Sequence, residues 1–381
     1  MRILFATNAM PVAGIEINLL LLSCELARLG HQVTVVSSGG PLVSSFVDAG
    51  IEHVVCPMSL TSPVHVARSA LAFRRIVEAR ESELIHFFSA SAAVIGRTAQ
   101  VLPGRRPWPP VVSSVMGLEN SPDESRFITN LRNYLCTLGA DRILIISPVI
   151  GRLVRALPIR AARIVDRKVV GVNLAFADHV DDAMLERLRD ELHVGTDTKV
   201  VLTVGALAPR KSHELFIRAA KEVIAAFPNV LFVVVGEGPL RSSLHDEIRK
   251  LGLGDKVKLI GQRRDVAALL KITDVYVKPG IVEGFIGITV LEAQAVGCPV
   301  VAFETEDVKL AIEEGVTGLL VPLGHVHDLA TAILHLLKHP DRAAAIAAAG
   351  RSKVEAEFGI DAVTLGLLAE YRTVIDSRRS A

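Results

Sequence analysis

An α/β protein built on two doubly wound parallel sheets is the fold class this sequence predicts. Three observations point there. Short apolar runs alternate with helical stretches along both halves of the chain, the pattern resets near residues 169–177, and 381 residues exceed the usual size of a single core. The opening reads as strand Arg2–Ala6, a break over Met10–Gly14, then a helix with Ile17, Leu20, Leu21, Cys24, Leu26 and Leu29 roughly on one face. Gly30 ends that helix and Gln32–Ser37 restarts a β-branched strand. Further strands are expected at Ile51–Cys56, Leu84–Phe88, Val111–Val115 and Arg142–Ile146. After the reset come a charged helix at Asp181–Leu192 and strands at Lys199–Gly205, Leu231–Val235, Val257–Ile260, Val275–Lys278, Pro299–Phe303 and Gly318–Val321. A terminal helix is expected from Ile360 through Tyr371. Domains are therefore expected at 1–175 and 176–359, facing a cleft where such folds bind ligands at the carboxyl ends of their strands.

Composition narrows the function. Half the residues are hydrophobic and 22% are charged, which excludes disorder; the net charge of +1 argues against a general nucleic-acid binder. Cys24, Cys56, Cys136 and Cys298 are scattered, so neither a zinc cluster nor a disulfide framework is expected, and a reducing cytoplasm fits. No apolar run reaches the ~18–20 residues that cross a bilayer, and the N-terminus does not read as a signal peptide. Charge is uneven. Residues 1–175 hold 18 Lys and Arg against 12 Asp and Glu, whereas the remainder holds 24 against 29. A basic half suggests an anionic encounter partner; arginine-rich codon usage is the competing reading.

The turn after the first strand has only Gly14, so the glycine fingerprint of dinucleotide binding is missing, and no P-loop ending occurs. No Asp-x-Asp is present to hold a divalent cation on a diphosphate, and no metal or cofactor is expected. Helix N-termini, amides and basic side chains would have to carry such a charge. Arg210 and Lys211 stand at a helix start after the strand ending at Gly205, where the macrodipole disfavours cations unless an anion is bound. Solvated surface charge is the alternative. Glu283 lies in a glycine-rich loop, and Glu292 lies on the otherwise apolar helix that follows. A carboxylate there needs hydrogen-bond donors, and sugar or ribose hydroxyls suit it.

The stretch Glu283–Val301 resembles the signature of retaining glycosyltransferases of family 4, which have the GT-B fold. The resemblance continues through Val204-Gly205, Lys211, Val235–Leu240, Gly315–Gly318 and Val321-Pro322, and more weakly through Pro11–Glu16 and Leu26–His31. It implies two Rossmann-like domains, with a C-terminal helix (360–381) packing back on the first. It implies that Lys211 contacts a nucleotide-sugar diphosphate, Glu292 the ribose and Glu283 the transferred sugar. The amides of Gly284, Phe285, Ile286 and Gly287 would cradle phosphate or sugar, Gln262 and Arg263 would flank the base, and Gly14 would let its loop approach the diphosphate. The implied reaction is metal-independent transfer of a hexose-type sugar, with a UDP-sugar favoured on family frequency. The acceptor would be a glycan, a lipid-linked molecule or a small metabolite.

Departures from the pattern matter. Ala206 stands where the family usually has Arg, with Arg210 as a candidate substitute, and Met116 stands where it has His. Eight residues separate the two glutamates, Glu283 and Glu292, where the family has seven. His86, at another strand end, is a further candidate catalytic residue. These departures keep open a catalytically altered nucleotide-sugar binder, or a GT-B enzyme of other chemistry such as an epimerase or a pseudo-glycosidic coupling enzyme. Basic residues Arg152, Arg155, Arg160, Arg163, Arg167 and Lys168 interleave with apolar ones, so peripheral contact with an anionic membrane stands beside a solvated helical face.

Overall fold

The computed structural model describes residues 1–11, 14–115, 131, 134–137, 139–281 and 287–380. The chain forms two compact units, Met1–Gly171 together with Ile360–Ala381, and Val172–Gly359.

The first unit holds β1 (Arg2–Ala6), β2 (Gln32–Ser37), β3 (Glu52–Val55), β4 (Leu84–Phe87), β5 (Val111–Val115), β6 (Arg142–Ile145) and β7 (Ile164–Asp166). Their order is β3-β2-β1-β4-β5-β6-β7, and every recorded pairing is parallel. The winding direction reverses between β1 and β4. Leu4, Ala6, Ile85 and Phe87 pack on one face against Phe73, Val77, Ile95 and Ala99 of helices Pro63–Ala79 and Ala90–Val101. Each fully buried Leu, Ile, Val or Phe side chain contributes about 1.5–3 kcal/mol relative to exposure.

The other face of β1 and β4 carries Phe5 and His86, and His86 meets Tyr371 of the C-terminal helix Ile360–Arg379. Two further ties hold that helix to the same unit: Glu370 pairs with Arg167 and Arg142, and Arg378 pairs with Asp141 at 2.9 Å. Asn18, buried on helix Gly14–Arg28, donates to the Val169 carbonyl at 2.7 Å and accepts from the Gly171 amide at 2.9 Å.

The second unit holds β8 (Lys199–Val204), β9 (Val230–Val235), β10 (Val257–Leu259), β11 (Val275–Lys278), β12 (Val300–Phe303) and β13 (Leu319–Val321). The order β10-β9-β8-β11-β12-β13 again reverses beside its first strand, here between β8 and β11. Val201, Phe232, Val275, Val277 and Val301 form the core with Phe216, Ile217 and Val223 of helix His213–Ala226. Leu329, Ile333 and Leu336 of helix Val326–Lys338 complete it.

Two expectations need correction. The buried residues of helix Gly14–Arg28 include Asn18, Leu19, Leu22 and Leu26, while Ile17 is exposed, so the buried face is rotated from the expected one. The run Leu19–Leu22 offers apolar side chains on every side and cannot set the phase. The arginine-rich stretch is not one helical face either. It divides into helix Pro148–Arg155, a 3-10 turn at Ala161–Arg163 and strand β7. Ile150 and Val154 are buried in the unit's own core, leaving Arg152, Arg155, Arg160 and Arg163 exposed. No helix among the described residues is long and apolar enough to cross a membrane.

Candidate active site

The reversal between β8 and β11 is where a doubly wound sheet opens a crevice at the carboxyl ends of its strands. β8 ends at Val204, and the chain continues through Gly205 to a 3-10 turn, Pro209–Lys211, before helix His213–Ala226. Ser212 joins turn to helix in the left-handed region, at φ 50°. That conformation costs a non-glycine residue about 1–2 kcal/mol and is held here directly beside Lys211.

Lys211 folds its stem back along the strand end. A Cβ placed on Gly205 would stand 3.5 Å from Lys211 Cδ. Gly236, after β9, approaches so closely that its own Cβ would lie 1.9 Å from the Gly205 carbonyl oxygen. The His213 imidazole Nε2 stands 3.2 Å from the Ala206 carbonyl, tying the helix start to the same turn.

A small hollow results, lined by Thr203, Val204, Lys211, His213, Tyr276, Lys278 and Thr289 among others. The Tyr276 hydroxyl donates to Thr289 Oγ1 at 2.7 Å and so fixes helix Ile288–Ala295 against β11. Gly287 precedes that helix with φ 81°, a left-handed turn that suits glycine. Thr203 is fully buried, and its hydroxyl has no hydrogen-bond partner among the described residues.

Glu292 follows Thr289 by three residues, which places both on one side of the helix. It is only partly exposed, and burial raises its carboxyl to about pKa 7. No hydrogen bond or ion pair compensates that carboxyl among the described residues, so the group awaits a donor.

The other sequence candidates are placed as follows. Arg210 is exposed on the 3-10 turn and is not among the residues lining the hollow. Gly14 begins its helix in the first unit. Gln262 is exposed. Arg263 is committed to Asp265 at 2.6 Å and Glu191 at 2.5 Å, pairings that raise its pKa further, so its guanidinium fastens its loop to helix Asp182–Leu192. Glu283, Gly284, Phe285, Ile286 and Met116 lie outside the described residues.

His86 needs correction as a catalytic candidate. It is fully buried, with Nδ1 2.6 Å from the Tyr371 hydroxyl and Nε2 2.7 Å from Ser114 Oγ, and its ring stacks on Phe88. Desolvation lowers its pKa to about 3, so it stays neutral and serves to latch the C-terminal helix. Sequence reasoning passed over Lys278. Its signal was a lysine closing an otherwise apolar strand, since a buried ammonium needs a reason to be there. Among the described residues no three His, Cys, Asp or Glu side chains are grouped to hold a metal ion.

Comparison with known proteins agrees with this architecture. The model of the glycosyl transferases group 1 family matches residues 185–353, and that of a glycosyl transferase 4-like domain matches residues 13–165. The chain is 30% identical over 220 residues to an alpha-D-kanosaminyltransferase of Streptomyces kanamyceticus, covering 56% of this chain and 57% of that one. It is 35% identical over 174 residues to a GDP-mannose-dependent mannosyltransferase acting on a monoacylated phosphatidylinositol monomannoside in Corynebacterium glutamicum, covering 43% and 44%. The chain thus spans about half the length of the curated relatives it matches. In three dimensions it resembles Anabaena HepE solved in complex with UDP, with a TM-score of 0.85 at 20% identity over 98% of this chain and 100% of that one. Each half of the chain thus carries a glycosyl transferase domain, group 1 over residues 185–353 and 4-like over residues 13–165, and the chain has the GT-B fold.

Proposed function

We propose that this chain is a metal-independent, retaining glycosyltransferase that moves a hexose-type sugar from a nucleotide sugar, favoured as a UDP-sugar, to a hydroxyl acceptor. The observation that carries the proposal is the hollow at the β8–β11 reversal, with Lys211 lining it and the uncompensated carboxyl of Glu292 on the same side of the bordering helix as Thr289. Lys211 holds the diphosphate, and Glu292 accepts the ribose hydroxyls. Glu283 and the amides from Gly284 to Gly287 bind the transferred sugar and its phosphate.

In the reaction, the bond from the sugar's anomeric carbon to the diphosphate oxygen breaks. The acceptor oxygen bonds the same carbon from the same face, and its proton passes to the departing phosphate. The products are a nucleoside diphosphate and a glycoside of unchanged configuration. Lys211 acts by stabilising the charge that grows on the leaving diphosphate.

We read the first unit as the acceptor-side domain. We assign the chain to the cytoplasm; any contact with an anionic membrane is electrostatic, through Arg152 and Arg160, because Ile150, Val154, Ile159 and Ile164 of that segment pack in the unit's own core. A thermal-shift screen against UDP-, GDP-, ADP- and dTDP-sugars tests the donor, because a ligand of the native state raises Tm by mass action. The expected result is one base family that stabilises the chain and releases nucleoside diphosphate when an acceptor is present. Ala206 and Met116 favour a second reading, a nucleotide-sugar binder without turnover. Binding with no product across an acceptor panel would decide for it.

A further inference from the structure

We propose that Lys278 is a second cation of this hollow, so that the site holds a diphosphate between two lysines. The inference rests on the donor-site reading above and deepens it. β11 runs Val275-Tyr276-Val277-Lys278, and Val275 and Val277 belong to the core on one face of the sheet. Alternation sends Tyr276 and Lys278 to the opposite face. Lys278 is only 5% exposed, yet it lines the hollow together with Lys211.

The topology sets this pairing. β8 and β11 are the two neighbouring strands that flank the reversal. Lys211 arrives from the turn after β8, and Lys278 is the last residue of β11. One ammonium therefore comes from each side of the crevice.

The hydroxyl of Thr203 supplies an independent sign of a ligand. It is buried on β8, lines the same hollow and has no partner among the described residues. Buried hydroxyls are nearly always bonded, and a phosphate oxygen would accept from this one. A diphosphate diester carries one negative charge on each phosphorus, and Lys211 and Lys278 bring ammonium groups toward it from the two strands. Ala206 brings no charge to this end of the site, and Arg210 stands outside it.

The test is calorimetric binding of whichever of UDP, GDP, ADP and dTDP binds the full chain most tightly, with its nucleoside as control. Lys278→Met is expected to weaken diphosphate binding roughly 10- to 100-fold, the size of one lost charge-assisted hydrogen bond, while nucleoside binding is unchanged. Lys278→Arg keeps the charge and is expected to recover most of the loss. Lys278→Gln, uncharged but polar, carries the same expectation should the methionine variant fail to fold. The ratio of diphosphate to nucleoside affinity is the deciding quantity, since a damaged fold lowers both alike. An unchanged diphosphate affinity, or a parallel fall in both, overturns the assignment. Failure of the unaltered chain to bind any of the four diphosphates overturns the donor-site reading itself, so the two failures appear in different samples.

Discussion

Glu292 gives the proposed donor site a pH signature that can be worked out in advance. Burial raises its carboxyl to about pKa 7 from the ordinary 4.5, so near pH 6 most molecules carry it protonated. Ribose hydroxyls donate to the ionised form, and binding must therefore drive the proton off. With a pKa of about 7, the ionised fraction rises from about one in eleven at pH 6 to about ten in eleven at pH 8. Affinity for a nucleotide sugar, whose diphosphate diester has no group titrating in that range, should rise about tenfold over the same interval. Calorimetry at about pH 7 in two buffers of different ionisation enthalpy should count roughly half a proton released per ligand bound.

The free protein should show the companion effect. The folded pKa lies above the unfolded one, so the stabilising contribution is full below about pH 4.5 and is lost as pH rises through about 7, by an amount on the order of 3 kcal/mol. Glu292→Gln should abolish both trends. Equal affinity at both ends of the range, or a Glu292→Gln variant that keeps the wild-type pH slope, would refute the reasoning.

Four further outcomes are expected. Lys211→Ala should weaken nucleotide-sugar binding by about 1.5–3 kcal/mol in calorimetry, as loss of a charged hydrogen bond to phosphate requires; unchanged affinity removes it from the site. Tyr371→Phe leaves Nδ1 of buried His86 without its partner and should cost about 1–3 kcal/mol in urea unfolding; no change in stability would show that the latch is not a stabilising contact. Gly236→Ala sets a methyl against the Gly205 carbonyl and should destabilise by roughly 2–4 kcal/mol, with nucleotide binding lost alongside; a variant as stable as the parent would contradict the close approach. Transfer activity should persist in EDTA, and restoration by added divalent cation after chelation would contradict a diphosphate held by lysines and peptide dipoles.

The strands were the most legible part of the chain. Gln32–Ser37, Val111–Val115 and Val275–Lys278 are valine-rich, because a parallel strand covered on both faces needs no strict polar alternation. β7 escaped notice since its apolar content is only Ile164 and Val165, set among arginines that suggested a surface. The phase of helix Gly14–Arg28 was lost in four consecutive leucines.

Site chemistry was legible where a residue type looked out of place, as with Glu292 on an apolar helix. Partner-dependent facts were not. Nothing in the local sequence around His86 reveals that Tyr371, 285 residues away, occupies its Nδ1. Nor does the local sequence show that Glu191 and Asp265 share the guanidinium of Arg263. Lys278 could have been found by the reasoning applied to Glu292, since a charge in a buried strand poses the same question.

The most direct measurement of the central claim is a crystal structure of the chain with a bound nucleotide sugar. The diphosphate should lie in the β8–β11 hollow, within hydrogen-bond distance of Lys211 and Lys278 Nζ, with the ribose hydroxyls on Glu292. A nucleotide bound elsewhere, or bound here with its phosphates turned away from Lys211, would contradict the account.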